Sequence, residues 1–344
     1  MIFKHLLNVL YVLTEDSYLH KQGETICVRV GGEEKVRVPV HTIDSIVCFS
    51  NTTVSTPLLA FCGEKGVGLA FFSPQGRFYA RLEGPVRGNV LLRTRQYEVA
   101  RDPMRTSEII WLLINAKIAN AKTVLLRVAR EHGDTDAATR LRQAASNMSM
   151  MAKKTGPESG GEQLRGYEGM AANIYFGQFD DMIRANKTAF YFRKRSKRPP
   201  EDNMNAIMSF LYSLLTNEVK CALEGVGLDP AVGYLHKLRP GRPSLALDIM
   251  EELRAPLCDR LALSLVNLRQ VKEDDFRREV GGVYMRDETR RKIISAWQKR
   301  KKEEVVHTFL RTKMPIGLIP HVQALLFARF LRGDVDYYPP FMWR

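Results

Sequence analysis

Val67-Gly68-Leu69-Ala70-Phe71-Phe72-Ser73-Pro74-Gln75-Gly76-Arg77-Phe78-Tyr79-Ala80-Arg81-Leu82-Glu83-Gly84-Pro85-Val86-Arg87-Gly88 is where the chain changes character. Two apolar runs rich in β-formers flank the turn Pro74-Gln75-Gly76, and Gly84-Pro85 closes the strand pattern. Upstream, Leu6 to Thr14, Thr25 to Val30, Glu34 to Pro39 and Asp44 to Phe49 also read as strands, with Gly31-Gly32 as a turn. A short helix is predicted from Thr56 to Lys65. Downstream of about residue 95, apolar residues recur at helical spacing. The clearest case is the run Ser107 to His132, closed by Gly133, in which Ile109, Leu112, Leu113, Ala116, Ile118, Ala119, Val124 and Leu125 share a face. The predicted fold is therefore α+β: a β-rich, sandwich-like domain over residues 1–88, then a larger all-α domain over residues 89–344.

Charge follows the same boundary. The 344 residues carry 52 Lys+Arg and 38 Asp+Glu, a net +14. Residues 1–88 hold 9 basic and 8 acidic side chains, which leaves 43 and 30 for the helical part. A field this positive favours a polyanionic partner, and it belongs to the helical domain, leaving the nearly neutral β domain for dimerisation or another protein contact. Five scattered cysteines, at 27, 48, 62, 221 and 258, form no CxxC and no zinc spacing. They read as reduced thiols of a cytoplasmic protein. Met1 to Leu13 lacks the features of a signal peptide, and no stretch approaches the ~18 uninterrupted apolar residues expected of a spanning helix. No membrane association is expected. Walker A, HExxH and GxSxG motifs are absent, and Gly63-Glu64-Lys65-Gly66-Val67-Gly68 precedes a strand where a dinucleotide loop would follow one.

Between Met182 and Pro200 there is no acidic residue, but there are Arg184, Lys187, Arg193, Lys194, Arg195, Lys197 and Arg198. This stretch reads either as a solvated loop or as a clamp on a phosphate backbone, with Phe190, Tyr191 and Phe192 available to stack on unpaired bases. A second basic run, Arg286 to Lys302, has the spacing of an amphipathic helix with a charged face.

One constellation carries chemistry. His236 precedes the loop Arg239-Pro240-Gly241-Arg242-Pro243, and Ser244 then opens a run containing Asp248, Glu251 and Glu252. On a helix, positions 248, 251 and 252 are neighbours at i, i+3 and i+4, and the loop can bring His236 back over them. One imidazole and two carboxylates suit Mg²⁺ or Mn²⁺; an ordinary surface helix with a hydrogen-bonded histidine is the plain alternative. A third carboxylate must come from elsewhere, with Glu162, Glu168 and Glu218 all eligible. Lys237, Arg242 and Arg254, close by in sequence, would hold phosphates or balance the acids.

In their order and spacing these segments resemble the CRISPR spacer-acquisition integrase family, the metal-dependent nuclease subunit of CRISPR adaptation. The resemblance runs through Thr56-Pro57-Leu58-Leu59, the Gly66 to Phe72 strand, Tyr167-Glu168-Gly169-Met170-Ala171-Ala172-Asn173, the histidine loop and Ser244 to Arg254. It ends on Ile319-Pro320-His321, Arg332-Gly333-Asp334 and Tyr338-Pro339-Pro340, where it looks like members from subtype I-C systems. It implies a dimerising β domain and a helical catalytic domain, with Mg²⁺ or Mn²⁺ held by Glu168, His236 and the Asp248/Glu251 pair, Glu251 being the favoured ligand. Asp248 would complete the shell, bind a second ion or orient a water or hydroxyl. The implied reaction joins 3′-hydroxyl ends of captured double-stranded DNA with 3′ overhangs to phosphodiesters of the CRISPR repeat. The implied partners are a second dimer, a small ferredoxin-like subunit bridging the two homodimers, and a RecB-like exonuclease. A structure-specific endonuclease for branched repair intermediates and a non-catalytic DNA-binding scaffold are the competing readings.

Overall fold

The computed structural model describes residues 9–43, 45–73, 78–84 and 90–343, with the Phe78 side chain excepted. The turn expected at Pro74-Gln75-Gly76, the boundary residue Pro85 and the first residues of the Leu6 and Asp44 strands lie outside the described residues. The chain divides into two compact units, Met1–Gly88 and Asn89–Arg344.

The first unit contains β1 (Val9–Val12), β2 (Ser17–Gln22), β3 (Thr25–Val30), β4 (Glu33–Pro39), β5 (Ser45–Cys48), β6 (Thr52–Val54), α1 (Thr56–Lys65), β7 (Gly68–Phe72) and β8 (Phe78–Arg81). Two four-stranded sheets result, ordered β1-β5-β7-β8 and β4-β3-β2-β6. In the first, β1, β5 and β7 are parallel and β8 returns antiparallel; in the second, β4-β3-β2 form an antiparallel meander with β6 parallel to β2. Leu19 and Ile26 of the second sheet pack with Ile46 and Leu69 of the first and with Leu58 and Phe61 of α1 in one core. Two strands, β2 and β6, escape the sequence reading. In β2 the buried positions Ser17 and Leu19 alternate with exposed Tyr18, so one strong hydrophobe carries the whole core contribution.

The second unit runs α2 (Val90–Arg101), α3 (Pro103–His132), α4 (Asp136–Lys153), α5 (Gly161–Gly177), α6 (Asn203–Gly225), α7 (Ser244–Leu253), α8 (Arg260–Asn267), β9 (Phe276–Glu279), β10 (Gly282–Met285), α9 (Asp287–Lys302), β11 (Glu304–His307), β12 (Thr312–Pro315) and α10 (Ile319–Arg332). The two hairpins β9-β10 and β11-β12 add strand structure to a domain expected to be purely helical. Their residues, such as Phe-Arg-Arg-Glu in β9, are too charged to read as strands. Helix α9 is the amphipathic helix expected from its basic run, burying Ile293, Ile294 and Trp297.

Helix α3 organises the unit. Asp102 caps it by accepting from the Met104 and Arg105 N–H groups, Pro103 follows as N1, and Gly133 at φ +67° ends it. Its apolar face packs on α4, α5 and α7. Contrary to the sequence expectation, α3 is long and apolar enough to cross a membrane by length and composition. The criterion of an uninterrupted apolar run missed it because Lys117 and Lys122 break the run. Over half of its apolar window is buried inside the protein, and Ile109, Leu113, Ile114 and Leu125 are fully buried, which makes it a core helix here.

Candidate metal centre and nucleic-acid interface

Helix α7 has ten residues, and among them three carboxylates that are essentially removed from water: Asp248 and Glu252 at 0% and Glu251 at 5% exposure. Burying a carboxylate without partners is costly, so the surroundings must supply donors or charge. Each of the three receives a different solution, because successive helix positions point 100° apart.

Asp248 faces the loop that precedes the helix. Its Oδ2 accepts the Tyr234 N–H at 2.6 Å and the Leu235 N–H at 3.1 Å, while Oδ1 accepts the His236 N–H at 2.9 Å and lies 2.7 Å from His236 Nδ1. The carboxylate thus folds residues 234–236 around itself and, by accepting from Nδ1–H, leaves Nε2 as the imidazole's free lone-pair nitrogen. The loop can approach this closely only because residue 233 is glycine: a Cβ there would lie 2.6 Å from Ser244 and 2.8 Å from Asp248 Oδ2. Gly233→Ala is expected to lower unfolding free energy by about 2 kcal/mol in urea denaturation, the usual cost of overpacking. Arg165 of α5 braces the same loop from outside, donating to the Leu235 carbonyl at 2.7 Å and the Tyr234 carbonyl at 2.8 Å. The first N–H groups of α7 are satisfied by the Pro230 carbonyl, which accepts from Leu245 at 2.9 Å.

Glu251 faces α3 and α5. Arg254, one turn on, donates to Oε1 at 2.5 Å, and Lys117 Nζ of α3 lies 2.8 Å from Oε2. Lys117 also ion-pairs with Glu168 of α5. Burial alone would push the Glu251 carboxyl up, but Arg254, Lys117 and His236 together hold it well below the ordinary range. Glu168 remains partly open, at 25% side-chain exposure, and His236 at 22%. A cleft beside the pair is lined by Lys117, Ala171, Ala172, Tyr175, Glu251 and Arg254, so the small residues after Glu168 keep the approach clear.

Glu252 faces the opposite way. It accepts from Tyr338 Oη at 2.5 Å, from Gln323 Nε2 at 3.2 Å and from the Phe341 N–H. Burial raises its carboxyl to about 7, against the lowering effect of those hydrogen bonds. Asn120 of α3 completes a clasp on the same segment, donating to the Glu252 and Phe341 carbonyls at 2.7 Å and accepting from the Trp343 N–H at 2.7 Å. Beyond α7 the chain continues through a widened π turn, residues 254–259, into α8. Pro256 sits within that turn. Buried Asp259 holds the turn to α5 and α6 by accepting from Tyr175 at 3.0 Å and Tyr212 at 2.5 Å.

The structure therefore brings Glu168 and Glu251 together on the Lys117 ammonium, with His236 near enough for its charge to act on Glu251. Of the other eligible carboxylates, Glu218 accepts from Trp297 at 2.9 Å and Lys301 at 2.8 Å, and Glu162 pairs with Arg165 and Lys237 at 3.0 Å each. Two carboxylates and one imidazole form a borderline-to-hard donor set that fits Mg²⁺ or Mn²⁺. Buried Glu251 Oε2, which receives no well-directed hydrogen bond among the described residues, faces the Lys117 ammonium. Lys117 itself was missed by the sequence reading, although a lysine in the apolar run of α3 was the available signal.

The basic residues separate into two sets. Arg193, Lys194, Lys197 and Arg198 are exposed. Partial burial of the Lys197 ammonium and the charges of Arg254, Arg195 and Lys117 lower it, with Glu251 opposing. Arg195 is instead turned inward, donating to Asn205 at 2.6 Å and Ser209 at 3.0 Å over the Tyr212 ring. Arg254, largely but not fully covered, packs on Glu251 and the same ring. Arg184 and Lys187 find acids from outside their own stretch, pairing with Glu131 at 3.2 Å and Asp180 at 2.7 Å. Lys237 is exposed and paired with Glu162; Arg242 is half-buried on the loop before α7. The expectation that Phe190 and Phe192 stack on bases is overturned. Both are buried, Phe190 against Phe276 and Phe192 against Phe176 and Phe179, leaving Tyr191 as the more accessible ring.

A family model described as CRISPR associated protein Cas1 matches residues 10–299. CRISPR-associated endonuclease Cas1 2 of Rhodospirillum rubrum is 49% identical over 346 residues, covering 99% of this chain and all of its own length. Among solved structures, a casposase bound to integration product superposes with a TM-score of 0.80 at 20% identity, over 95% of this chain and 91% of that one. A Cas6-RT-Cas1–Cas2 complex superposes with a TM-score of 0.82 at 20% identity, over 100% of this chain and 37% of that one. At these identities the two structures establish the fold.

Proposed function

The chain belongs to the CRISPR associated protein Cas1 family, and from that premise we propose that it is the metal-dependent DNA integrase and endonuclease of CRISPR adaptation. In this reading it joins the 3′-hydroxyl ends of captured double-stranded DNA to phosphodiesters of the CRISPR repeat. The observation that carries the reading is the Lys117 ammonium shared by Glu168 of α5 and Glu251 of α7, with His236 of the loop between α6 and α7 acting electrostatically on Glu251. These three residues would hold the metal. When bound, Mg²⁺ or Mn²⁺ supplies Lewis-acid charge to the scissile phosphate during in-line displacement.

The chain's own groups set the conditions. Arg254 keeps Glu251 ionised, Asp248 fixes the orientation of the His236 ring, and Lys197, on which Glu251 acts electrostatically, adds an exposed cation for the incoming phosphate. Arg193, Lys194 and Arg198 extend that charge along the same loop. Because one phosphodiester forms as another breaks, joining is a transesterification that needs no energy source.

Residues 1–88 are proposed as the dimerisation module and residues 89–344 as the catalytic and DNA-binding module. A solved neighbour named as a Cas1–Cas2 complex supports partnership with a second CRISPR subunit. Two homodimers bridged by the small ferredoxin-like subunit, with a RecB-like exonuclease trimming the DNA, complete the assembly.

Glu168→Ala is the cleanest test, because Glu168 is partly exposed and, among the described residues, ion-pairs with Lys117 alone. A labelled linear duplex with free 3′ ends and a supercoiled repeat plasmid are offered together. Joined product is expected to fall by at least about 10²-fold, with duplex binding unchanged. Undiminished joining would refute the assignment, and cleavage without joining in the unaltered protein would favour the endonuclease reading.

A further inference from the structure

At the start of α8, the Arg260 guanidinium lies over the Trp343 ring at 5.2 Å from its centroid, and the Arg300 guanidinium of α9 lies over the same ring at 5.2 Å. The Arg260 side chain makes no hydrogen bond and no ion pair among the described residues, and its Nη1 is buried without an acceptor. Arg300 Nε is likewise buried and unpartnered, while its other nitrogens reach Glu303 and, at 3.4 Å, the Pro256 carbonyl. A third guanidinium, Arg127 of α3, is close enough to act on both, and its own acid, Glu131 at 3.4 Å, is shared with Arg184. Burial, followed by repulsion from Arg300 and Arg127, brings the Arg260 guanidinium down to about 10, with Glu131 and Glu303 opposing.

A half-buried guanidinium has five donors, and leaving them unpaired among like charges is unfavourable. The indole face offsets part of that cost but offers no acceptor. The missing component is an anion with several acceptor oxygens in different directions, which a tetrahedral phosphate has and a planar carboxylate lacks.

We propose that Arg260 and Arg300, gathered over Trp343, with Arg127 adding charge nearby, form a phosphate-binding subsite that grips a backbone phosphate of substrate DNA. The proposal rests on the DNA-acting function given above. Binding of a labelled duplex to the full chain is measured from about 50 to 200 mM salt for the unaltered protein, Arg260→Gln, Arg300→Gln and Arg260→Lys, with thermal melting of each in the absence of DNA. Arg260→Gln is expected to weaken binding by about tenfold and to reduce the magnitude of the slope of log K against log salt by about 1. Arg260→Lys is expected to restore the slope, since a point charge still holds a phosphate. The melting temperature of Arg260→Gln is expected to stay level or rise, because an uncompensated buried cation has been removed. Affinity and slope that remain unchanged in both glutamine variants, while the unaltered protein binds duplex, overturn the subsite and leave the function standing. A lowered melting temperature with unchanged slope assigns Arg260 a structural role and also overturns it. An unaltered protein that binds no DNA overturns both.

Discussion

Asp248→Ala is expected to remove roughly 4 kcal/mol of stability and to abolish strand joining. The carboxylate accepts three backbone N–H groups, from Tyr234, Leu235 and His236, in addition to its contact with His236 Nδ1. Deleting it strands three buried donors at about 1–3 kcal/mol each, partly relieved by water entering the vacated space. Asp248→Asn is expected to behave almost as badly, since its amide nitrogen would present a donor where two N–H groups already point. Urea denaturation measures the first effect. The second separates from it at low temperature, where a folded variant binds duplex but does not join it, because His236 has lost the group that orients its ring. A variant of normal stability would mean that the 234–236 loop is held by Arg165 alone.

Lys117→Met is expected to act in opposite directions with and without metal. In the metal-free protein the Lys117 ammonium is shared by Glu168 and Glu251. Replacing it with an uncharged side chain of similar length leaves mainly Arg254 to offset two crowded carboxylates, at a cost of about 3 kcal/mol. A divalent ion bound by the same carboxylates restores the balance, so the variant is expected to bind Mn²⁺ more tightly, by up to about 100-fold if all of that cost is recovered. Melting in chelator should therefore show a deficit that closes as Mn²⁺ is added, and calorimetric titration should give the lower Kd. Weaker Mn²⁺ binding in Lys117→Met would show that the lysine pre-positions the two acids and does not compete for them.

Much of this was legible in the residues. The division near Gly84-Pro85, α1 at Thr56–Lys65 and the core stripe of α3 follow from periodicity and turn chemistry, and the chain divides into units Met1–Gly88 and Asn89–Arg344. Strands with one strong hydrophobe, such as β2, or with charged faces, such as β9, were hidden because their pairing depends on neighbours distant in sequence. In the site, the acids of α7 and the histidine loop announced themselves by spacing. Their division of labour did not: spacing places 248, 251 and 252 as neighbours, but only the packing shows that one meets backbone N–H groups, one meets cations and one meets a tyrosine and a glutamine. The aromatic residues at 190 and 192 misled for the same reason, since a basic loop and a buried turn have similar composition.

The clasp on Glu252 also sets an order of events. Phe341, which donates to Glu252, is 89 residues further along the chain, and Trp343 is 223 residues beyond Asn120. At about 5–20 residues per second, a ribosome that has already produced Glu168, His236 and Glu251 works for several more seconds before the segment that fastens α7 exists. The surroundings of the α7 carboxylates are therefore among the last parts of the molecule to be completed. A nascent chain that stops before residue 341 carries Glu251 on a helix whose far side still lacks the Phe341 and Trp343 contacts.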